Sequence, residues 1–242
     1  MSAVLALHCA LASGAAWRPL ARCLPDWSWI TPDLPGFGAA PDPGPTADLM
    51  AHALAVAEAA LPAEPVHLIG HSYGGCVALA VWAAHPARLR SVTLVEPVMF
   101  AAAGGGASAD HLRQMAPFND ALDAGDAMTA AQIFHGLWGV GPWAAVPPAR
   151  QRAMADRIHL IRQSEPGIIA DSHRILDRLP HAGPPLSVIT RHDPPPIMAA
   201  IAAGLVDRRP AMTRVEIGDD HMVPVTAAPA LAAHLRAVWA AP

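Results

Sequence analysis

The chain has 242 residues, of which 53% are hydrophobic, and a formal charge of -4. This length and composition allow a sizeable buried core, so one domain with a possible insertion is the simplest expectation. The slightly acidic balance excludes the positive footprint of a nucleic-acid or anionic-membrane binder. No apolar run reaches the roughly 18 residues that span a bilayer. We therefore expect a soluble protein that acts on a small molecule.

Cysteine usage indicates the compartment. Cys9, Cys23 and Cys76 have no metal-binding spacing and cannot all pair with one another. A disulfide framework is therefore not expected, and a reducing, cytoplasmic location is favoured. The sequence predicts neither a metal nor a cofactor, and it leaves a monomer and a homodimer equally open.

Short apolar runs alternate with helix-compatible stretches along most of the chain. Continuous apolar runs are typical of strands buried on both faces of a parallel sheet. Strands are predicted at residues 3–7, 27–30, 66–69, 91–95, 186–190 and 212–217. The pattern predicts an α/β fold with a mostly parallel sheet of about six strands, flanked by helices.

The alternation stops between residues 98 and 185. This stretch reads as helices at residues 109–115, 126–138, 148–163 and 167–179, separated by Gly and Pro. It predicts a helical insertion into a core formed by residues 1–97 and 186–242.

A Gly-x-Ser-x-Gly segment, Gly70-His71-Ser72-Tyr73-Gly74, joins the strand at 66–69 to a helix. Glycines at this spacing allow a turn so sharp that the serine adopts a strained backbone conformation and presents its hydroxyl above the sheet edge. A tight turn that merely contains a serine is the alternative interpretation. The strand-turn-helix context favours Ser72 as a nucleophile.

These residues resemble the nucleophile elbow of the α/β-hydrolase superfamily, and residues 8–17 resemble the loop after its first parallel strand. Ser13 and Trp17 match that loop, whereas Cys9 and Ala12 stand where glycine is usual. The resemblance implies that the N–H groups of Ala10 and Tyr73 form an oxyanion hole.

The resemblance also implies a catalytic triad in the order serine, acid, histidine. Asp193 follows the strand at 186–190 and His221 follows the strand at 212–217, so Ser72, Asp193 and His221 are the expected triad. Glu96, which closes the strand at 91–95, is the alternative acid, followed directly by Pro97.

In this superfamily, helices inserted after that strand form a cap over the nucleophile. The expected pocket residues are Leu11, Phe134, Trp138, Trp143 and Met222, and Met115 and Phe118 are further candidates. The aromatic residues of the insertion can equally form its own small core.

The resemblance implies a serine hydrolase that cleaves a carboxylic ester, thioester or lactone through an acyl-enzyme. A carbon-carbon bond hydrolase or lyase of the same fold is the alternative, because the loop at residues 8–17 also resembles such enzymes. A member that binds a ligand without turnover is the third hypothesis.

Overall fold

Six parallel strands form one sheet in this computed structural model, which describes residues 2–240. The strands are β1 (Ala3–Leu7), β2 (Ser28–Ile30), β3 (Val66–His71), β4 (Leu89–Val95), β5 (Leu186–Thr190) and β6 (Met212–Glu216). Their spatial order is β2-β1-β3-β4-β5-β6, and every neighbouring pair is parallel. The α/β architecture predicted from the sequence is confirmed, and the carboxyl ends of all these strands meet at one edge.

Helices cover both faces of the sheet. They are α1 (Arg18–Cys23), α2 (Leu49–Ala60), α3 (Tyr73–Ala84), α9 (Pro196–Arg208), α10 (Val223–Thr226) and α11 (Ala228–Trp239). In β1, Leu5 and Leu7 pack into the core on the α2, α3 and α9 side, whereas Val4 and Ala6 pack on the α1 and α11 side. Burial on both faces explains why this strand is a continuous apolar run. Among the helices within residues 2–240, none is both long enough and apolar enough to cross a membrane.

Five helices lie between β4 and β5, in residues 98–185, which we call the helical insert. They are α4 (Gly106–Asp123), α5 (Ala127–Trp138), α6 (Pro148–Ala155), α7 (His159–Ile168) and α8 (Ile175–Arg178). Phe118 and Ile158 belong to an apolar cluster of the insert itself. Leu160 and Ile175 instead belong to the main core, which anchors α7 and α8 beside α2 and α3.

The helix bounds in the insert differ from the sequence prediction. The helix expected at 109–115 continues past Pro117 to Asp123, because Phe118 is fully buried and its packing outweighs the lost backbone hydrogen bond. The helix expected at 148–163 divides into α6 and α7. The helix expected at 167–179 is broken by Asp171 and Arg174, whose φ angles are 45° and 50°.

Candidate active site

Ser72 lies in the turn between β3 and α3 with a strained backbone, at φ 55° and ψ -118°. A Cβ atom on Gly70 would lie 2.2 Å from the carbonyl oxygen of Gly74, and one on Gly74 would lie 2.1 Å from that of Leu7. Both positions therefore require glycine, as the motif predicted. The close approach packs the elbow directly against the end of β1. The Ser72 hydroxyl makes no hydrogen bond with the residues that the structure describes.

His8 fixes the start of the loop that follows β1. Its Nδ1 lies 2.7 Å from the carbonyl oxygen of Cys9, and its Nε2 accepts a hydrogen bond of 2.9 Å from the N–H of Leu34. Burial lowers the pKa of His8, so the ring is neutral and carries its proton on Nδ1. The loop then turns at Leu11, with φ 57°, and its residue Ala10 lines the same cavity as Ser72.

A buried carboxylate contacts the imidazole of His221. Glu96 Oε2 lies 3.1 Å from His221 Nδ1, and 4% of the His221 surface and none of the Glu96 surface is exposed. Glu96 is the residue directly after β4, with φ 46°, and its N–H donates to the carbonyl oxygen of Ile189 at 2.7 Å. The neighbouring strand β5 thus fixes the backbone from which the carboxylate extends.

Arg191 holds the same carboxylate from the other side. Its backbone N–H donates to Glu96 Oε1 at 2.8 Å, and its Nε donates to Oε2 at 3.0 Å. Burial alone would raise the pKa of Glu96, but the hydrogen bond and charge of His221 and the charge and N–H of Arg191 together hold it below its usual value. An ionised Glu96 only accepts hydrogen bonds. His221 Nδ1 therefore donates the proton in this contact, and when the ring acts as a base its Nε2 is the acceptor.

The structure does not place Asp193 at His221, contrary to the sequence expectation. Asp193 is exposed and forms no hydrogen bond or ion pair with His221 within residues 2–240. The two residues before Asp193 bond to other partners. The N–H of Arg191 donates to Glu96, and the N–H of His192 donates to the carbonyl oxygen of Gly218 at 2.7 Å. The place beside His221 is occupied by Glu96, the alternative acid of the sequence analysis.

His71 contributes a contact that sequence reasoning missed. Its Nε2 lies 2.7 Å from the carbonyl oxygen of His221. Burial, followed by the nearby charge of His221, lowers the pKa of His71 to about 3. The neutral ring therefore donates from Nε2 and ties the elbow to the loop that carries His221. The motif assigns no role to the residue between Gly70 and Ser72, so no sequence signal was available.

A cavity of about 450 Å³ lies over these groups and is lined by both Ser72 and His221. Four of the expected pocket residues line it: Leu11, Phe134, Trp138 and Met222. The Trp138 ring lies 4.9 Å from the His221 ring, measured between centroids. The helical insert therefore forms one wall of the cavity.

Trp143, also expected in the pocket, does not line this cavity. Its ring lies 5.4 Å from that of His135, and its carbonyl oxygen accepts a hydrogen bond from Gln151 at 2.9 Å. The Trp143 side chain thus packs against the apolar cluster of the insert itself. Phe118 likewise belongs to the core of the insert, where its ring is 6.1 Å from Phe134. Phe134 and Trp138 therefore line the pocket, whereas Phe118 and Trp143 pack in the core of the insert.

Of the two expected oxyanion donors, Tyr73 follows Ser72 directly in the chain and Ala10 shares its cavity. Ala10 lines the cavity together with Ser72. Tyr73 is the first residue of α3, so its N–H has no acceptor within that helix. In the part of the chain that the structure describes, no three His, Cys, Asp or Glu side chains are grouped as metal ligands.

Comparisons with known proteins agree with the fold. A family model described as "alpha/beta hydrolase fold" matches residues 2–132, which is more than half of the chain. Lipase LipV of Mycobacterium tuberculosis is 32% identical over 159 residues, covering 65% of this chain. The match spans 57% of the length of that lipase.

Solved structures share the fold at lower identity. A 2-hydroxy-6-oxo-6-phenylhexa-2,4-dienoate hydrolase from Rhodococcus sp. strain RHA1 superposes with a TM-score of 0.73 at 20% identity, covering 99% of this chain and 91% of that one. An α/β hydrolase from Sphaerobacter thermophilus gives a TM-score of 0.69 at 21% identity, covering 97% and 92%. The fold and the match over residues 2–132 establish that this chain belongs to the α/β-hydrolase family.

Proposed function

We propose that this hydrolase cleaves carboxylic esters through a triad of Ser72, His221 and Glu96. The observation that carries the proposal is the buried 3.1 Å contact between Glu96 and His221, beside a serine at φ 55° in the same cavity. A serine hydroxyl is a weak nucleophile at neutral pH unless a positioned base removes its proton. The Glu96-bound imidazole supplies such a base.

Acylation begins when Ser72 Oγ attacks the ester carbonyl carbon and its proton passes to His221 Nε2. The carbonyl oxygen becomes an oxyanion, for which the N–H groups of Ala10 and Tyr73 are the proposed donors, at roughly 3 kcal/mol each in comparable sites. Collapse of the intermediate expels the alcohol oxygen, which receives the proton from His221.

Deacylation repeats these steps with water as the nucleophile and releases the acid. Glu96 keeps His221 in the reactive tautomer and stabilises the imidazolium that forms in both halves of the reaction. The helical insert acts as a cap that limits water at the acyl-enzyme. This role is supported by the contact of Trp138 with His221.

The substrate is a small molecule in this proposal. The expectation that neither a cofactor nor a nucleic-acid partner is involved, the cytoplasmic location and the oligomeric state stay predictions.

Covalent labelling tests the proposed nucleophile. A fluorophosphonate probe should label the protein at Ser72, and Ser72→Ala should abolish the labelling while far-ultraviolet circular dichroism is retained. Ser172→Ala, which removes an exposed hydroxyl of the insert, is the control and should label like the wild type. Labelling that persists in Ser72→Ala would end the assignment.

Turnover separates ester hydrolysis from the other hypotheses. Short p-nitrophenyl esters should be hydrolysed in multiple turnovers, and a vinylogous diketone substrate should be cleaved far more slowly. The opposite ranking would favour carbon-carbon bond cleavage, and tight binding without turnover would favour a non-catalytic receptor.

A further inference from the structure

Two cavities meet at Ser72. The outer one, of about 450 Å³, is the cavity described above. The inner one, of about 100 Å³, extends under the helical insert. Ala10, Ser72, Phe134 and Trp138 line both. An ester held at the Ser72 hydroxyl therefore extends one of its two halves into each cavity.

His221 decides which half occupies which cavity. In the proposed function, on which this inference rests, His221 returns a proton to the departing alcohol oxygen. His221 lines the outer cavity and is not among the residues that line the inner one. The alcohol must therefore lie in the outer cavity and the acyl chain in the inner cavity, which Tyr73 also lines.

The volume of the inner cavity limits the acyl chain. An engineered protein cavity of about 150 Å³ binds benzene, which has six carbons. A cavity of about 100 Å³ accommodates a smaller group, on the order of two to four carbons. Met115, Ile161 and Ile168 give it apolar walls, which are suited to an alkyl chain.

The described residues that line the inner cavity offer an anion no positive counter-charge. Burial lowers the pKa of His111, so its ring is uncharged near neutral pH. Glu165 also lines the cavity, and among the described lining residues there is no arginine. An acyl chain ending in a carboxylate would lose its hydration without gaining a counter-charge.

Four residues close the far end of the inner cavity: Phe100, His111, Leu112 and Ile169 also line a surface cleft of about 420 Å³ on the other side. The rings of Phe100 and His111 are stacked with centroids 4.3 Å apart. Leu112 lies at the surface, with 51% of its area exposed. This wall separates the short cavity from a space that could hold several more carbons.

We propose that the enzyme selects esters with short, uncharged acyl groups, and that Phe100 and Leu112 set the chain length. The alcohol half faces the larger outer cavity and is selected less strictly.

Two isomeric esters test the orientation. Octyl acetate and ethyl octanoate have the same formula, but the long chain lies on the alcohol in the first and on the acyl group in the second. We expect kcat/KM for octyl acetate to be higher by about tenfold or more, because each misplaced methylene weakens transition-state binding. Equal values, or a preference for ethyl octanoate, would overturn the orientation.

Charge selection is tested at fixed chain length. Monoethyl succinate and ethyl butyrate both carry four-carbon acyl groups, but only the first ends in a carboxylate. Ethyl butyrate should be cleaved about tenfold faster or more. Equal rates would overturn the exclusion of charged acyl groups.

Variants of the closing wall test the length limit. Leu112→Ala and Phe100→Ala should each raise the octanoate-to-butyrate ratio of kcat/KM for p-nitrophenyl esters by about tenfold. Leu137→Ala is the matched control, because Leu137 is an exposed leucine of the insert, 38% accessible, that lines none of these cavities. Its ratio should equal that of the wild type. An unchanged ratio in Leu112→Ala overturns the length assignment even if Phe100→Ala does not fold.

Fluorophosphonate labelling distinguishes a failure of the proposed ester preference from a failure of the proposed function. If Ser72 is labelled but the ester preferences above are absent, the inference is wrong and the proposed function stands. If Ser72 is not labelled and no ester is cleaved, both are wrong.

Discussion

At the scale of single residues, the proposed triad depends on the buried contact of 3.1 Å between Glu96 and His221. Ser72 and His221 were found from local motifs, and the structure brings them to one cavity. The carboxylate that contacts His221 was predicted wrongly, since Glu96 and Asp193 both follow strands and the sequence analysis preferred Asp193. Which of the two side chains reaches His221 depends on the direction that the backbone takes after each strand. That direction depends on the pairing of β4 with β5 and on the bonds from Arg191 to Glu96, which no local pattern encodes.

Exchanging each carboxylate for its amide distinguishes the two acids. Glu96→Gln should lower kcat for ester hydrolysis by about 10³ to 10⁴, because the amide no longer stabilises the imidazolium or fixes its tautomer. Asp193→Asn should change kcat less than about twofold, since Asp193 is exposed. Steady-state kinetics on one ester measures both, and the reverse ranking would return the acid to Asp193.

Arg191 is a positioning residue that acts through Glu96. Arg191→Gln removes a cation that helps to hold the pKa of Glu96 low, so that pKa should rise. Protonated Glu96 cannot support His221, and the acid-side loss of kcat/KM should therefore begin at a higher pH than in the wild type. Arg191→Lys retains the charge and should restore most of the acid-side profile. An unshifted profile in Arg191→Gln would contradict this role.

At the scale of elements, helix and strand positions were predictable where apolar periodicity was uninterrupted. The α6–α7 division and the break before α8 were not predicted. At the break before α8, Asp171 and Arg174 adopt positive φ angles without being glycine. Asp171 instead caps α8 by accepting hydrogen bonds from the N–H groups of Ile175 and Leu176, at 2.7 and 3.0 Å. Both side chains are buried in the main core, so tertiary packing sets this break.

The contact between the elbow and β1 can be tested with a pair of glycine substitutions. Gly74→Ala should lower the free energy of unfolding by about 3 kcal/mol, because its Cβ would clash with the backbone oxygen of Leu7. Gly136→Ala, inside α5 with nothing within 4 Å of the added Cβ, should raise it by about 0.5–1 kcal/mol. Urea unfolding measures both, and destabilisation of similar size in the two variants would argue against the close approach.

At the scale of the whole molecule, the sheet followed from the alternation of apolar runs and helices, which a parallel sheet requires. The strand order did not follow from local sequence. Contacts between distant segments determine it, and they bring the ends of β3, β4 and β5 side by side.

Buried neutral histidines should make the entire fold sensitive to acid. Burial lowers the pKa of His67 to about 4 and that of His71 to about 3, whereas histidine in an unfolded chain titrates near about 6.5. Below that pH the unfolded state takes up protons that the folded state does not. The free energy of unfolding should therefore fall with decreasing pH, by up to about 1.4 kcal/mol per pH unit for each such histidine.

Urea midpoints between pH 7 and 5 measure this dependence. His67→Gln removes one of these groups and keeps a hydrogen-bonding side chain near Ser91, so its stability should depend less steeply on pH. If the stability of His67→Gln depends on pH as steeply as that of the wild type, His67 does not contribute to the acid sensitivity.

The N–H of Ser72 donates to the carbonyl oxygen of Val95, whose next residue is Glu96. The proposed nucleophile and the proposed acid are thus connected through the paired strands β3 and β4. The loop bearing His221 is a separate segment, attached to these strands through Glu96 and His71. We therefore expect that fluctuations which separate His221 from Glu96 are motions of this loop relative to β3 and β4. In hydrogen exchange, its amides should exchange faster than those of β3 and β4.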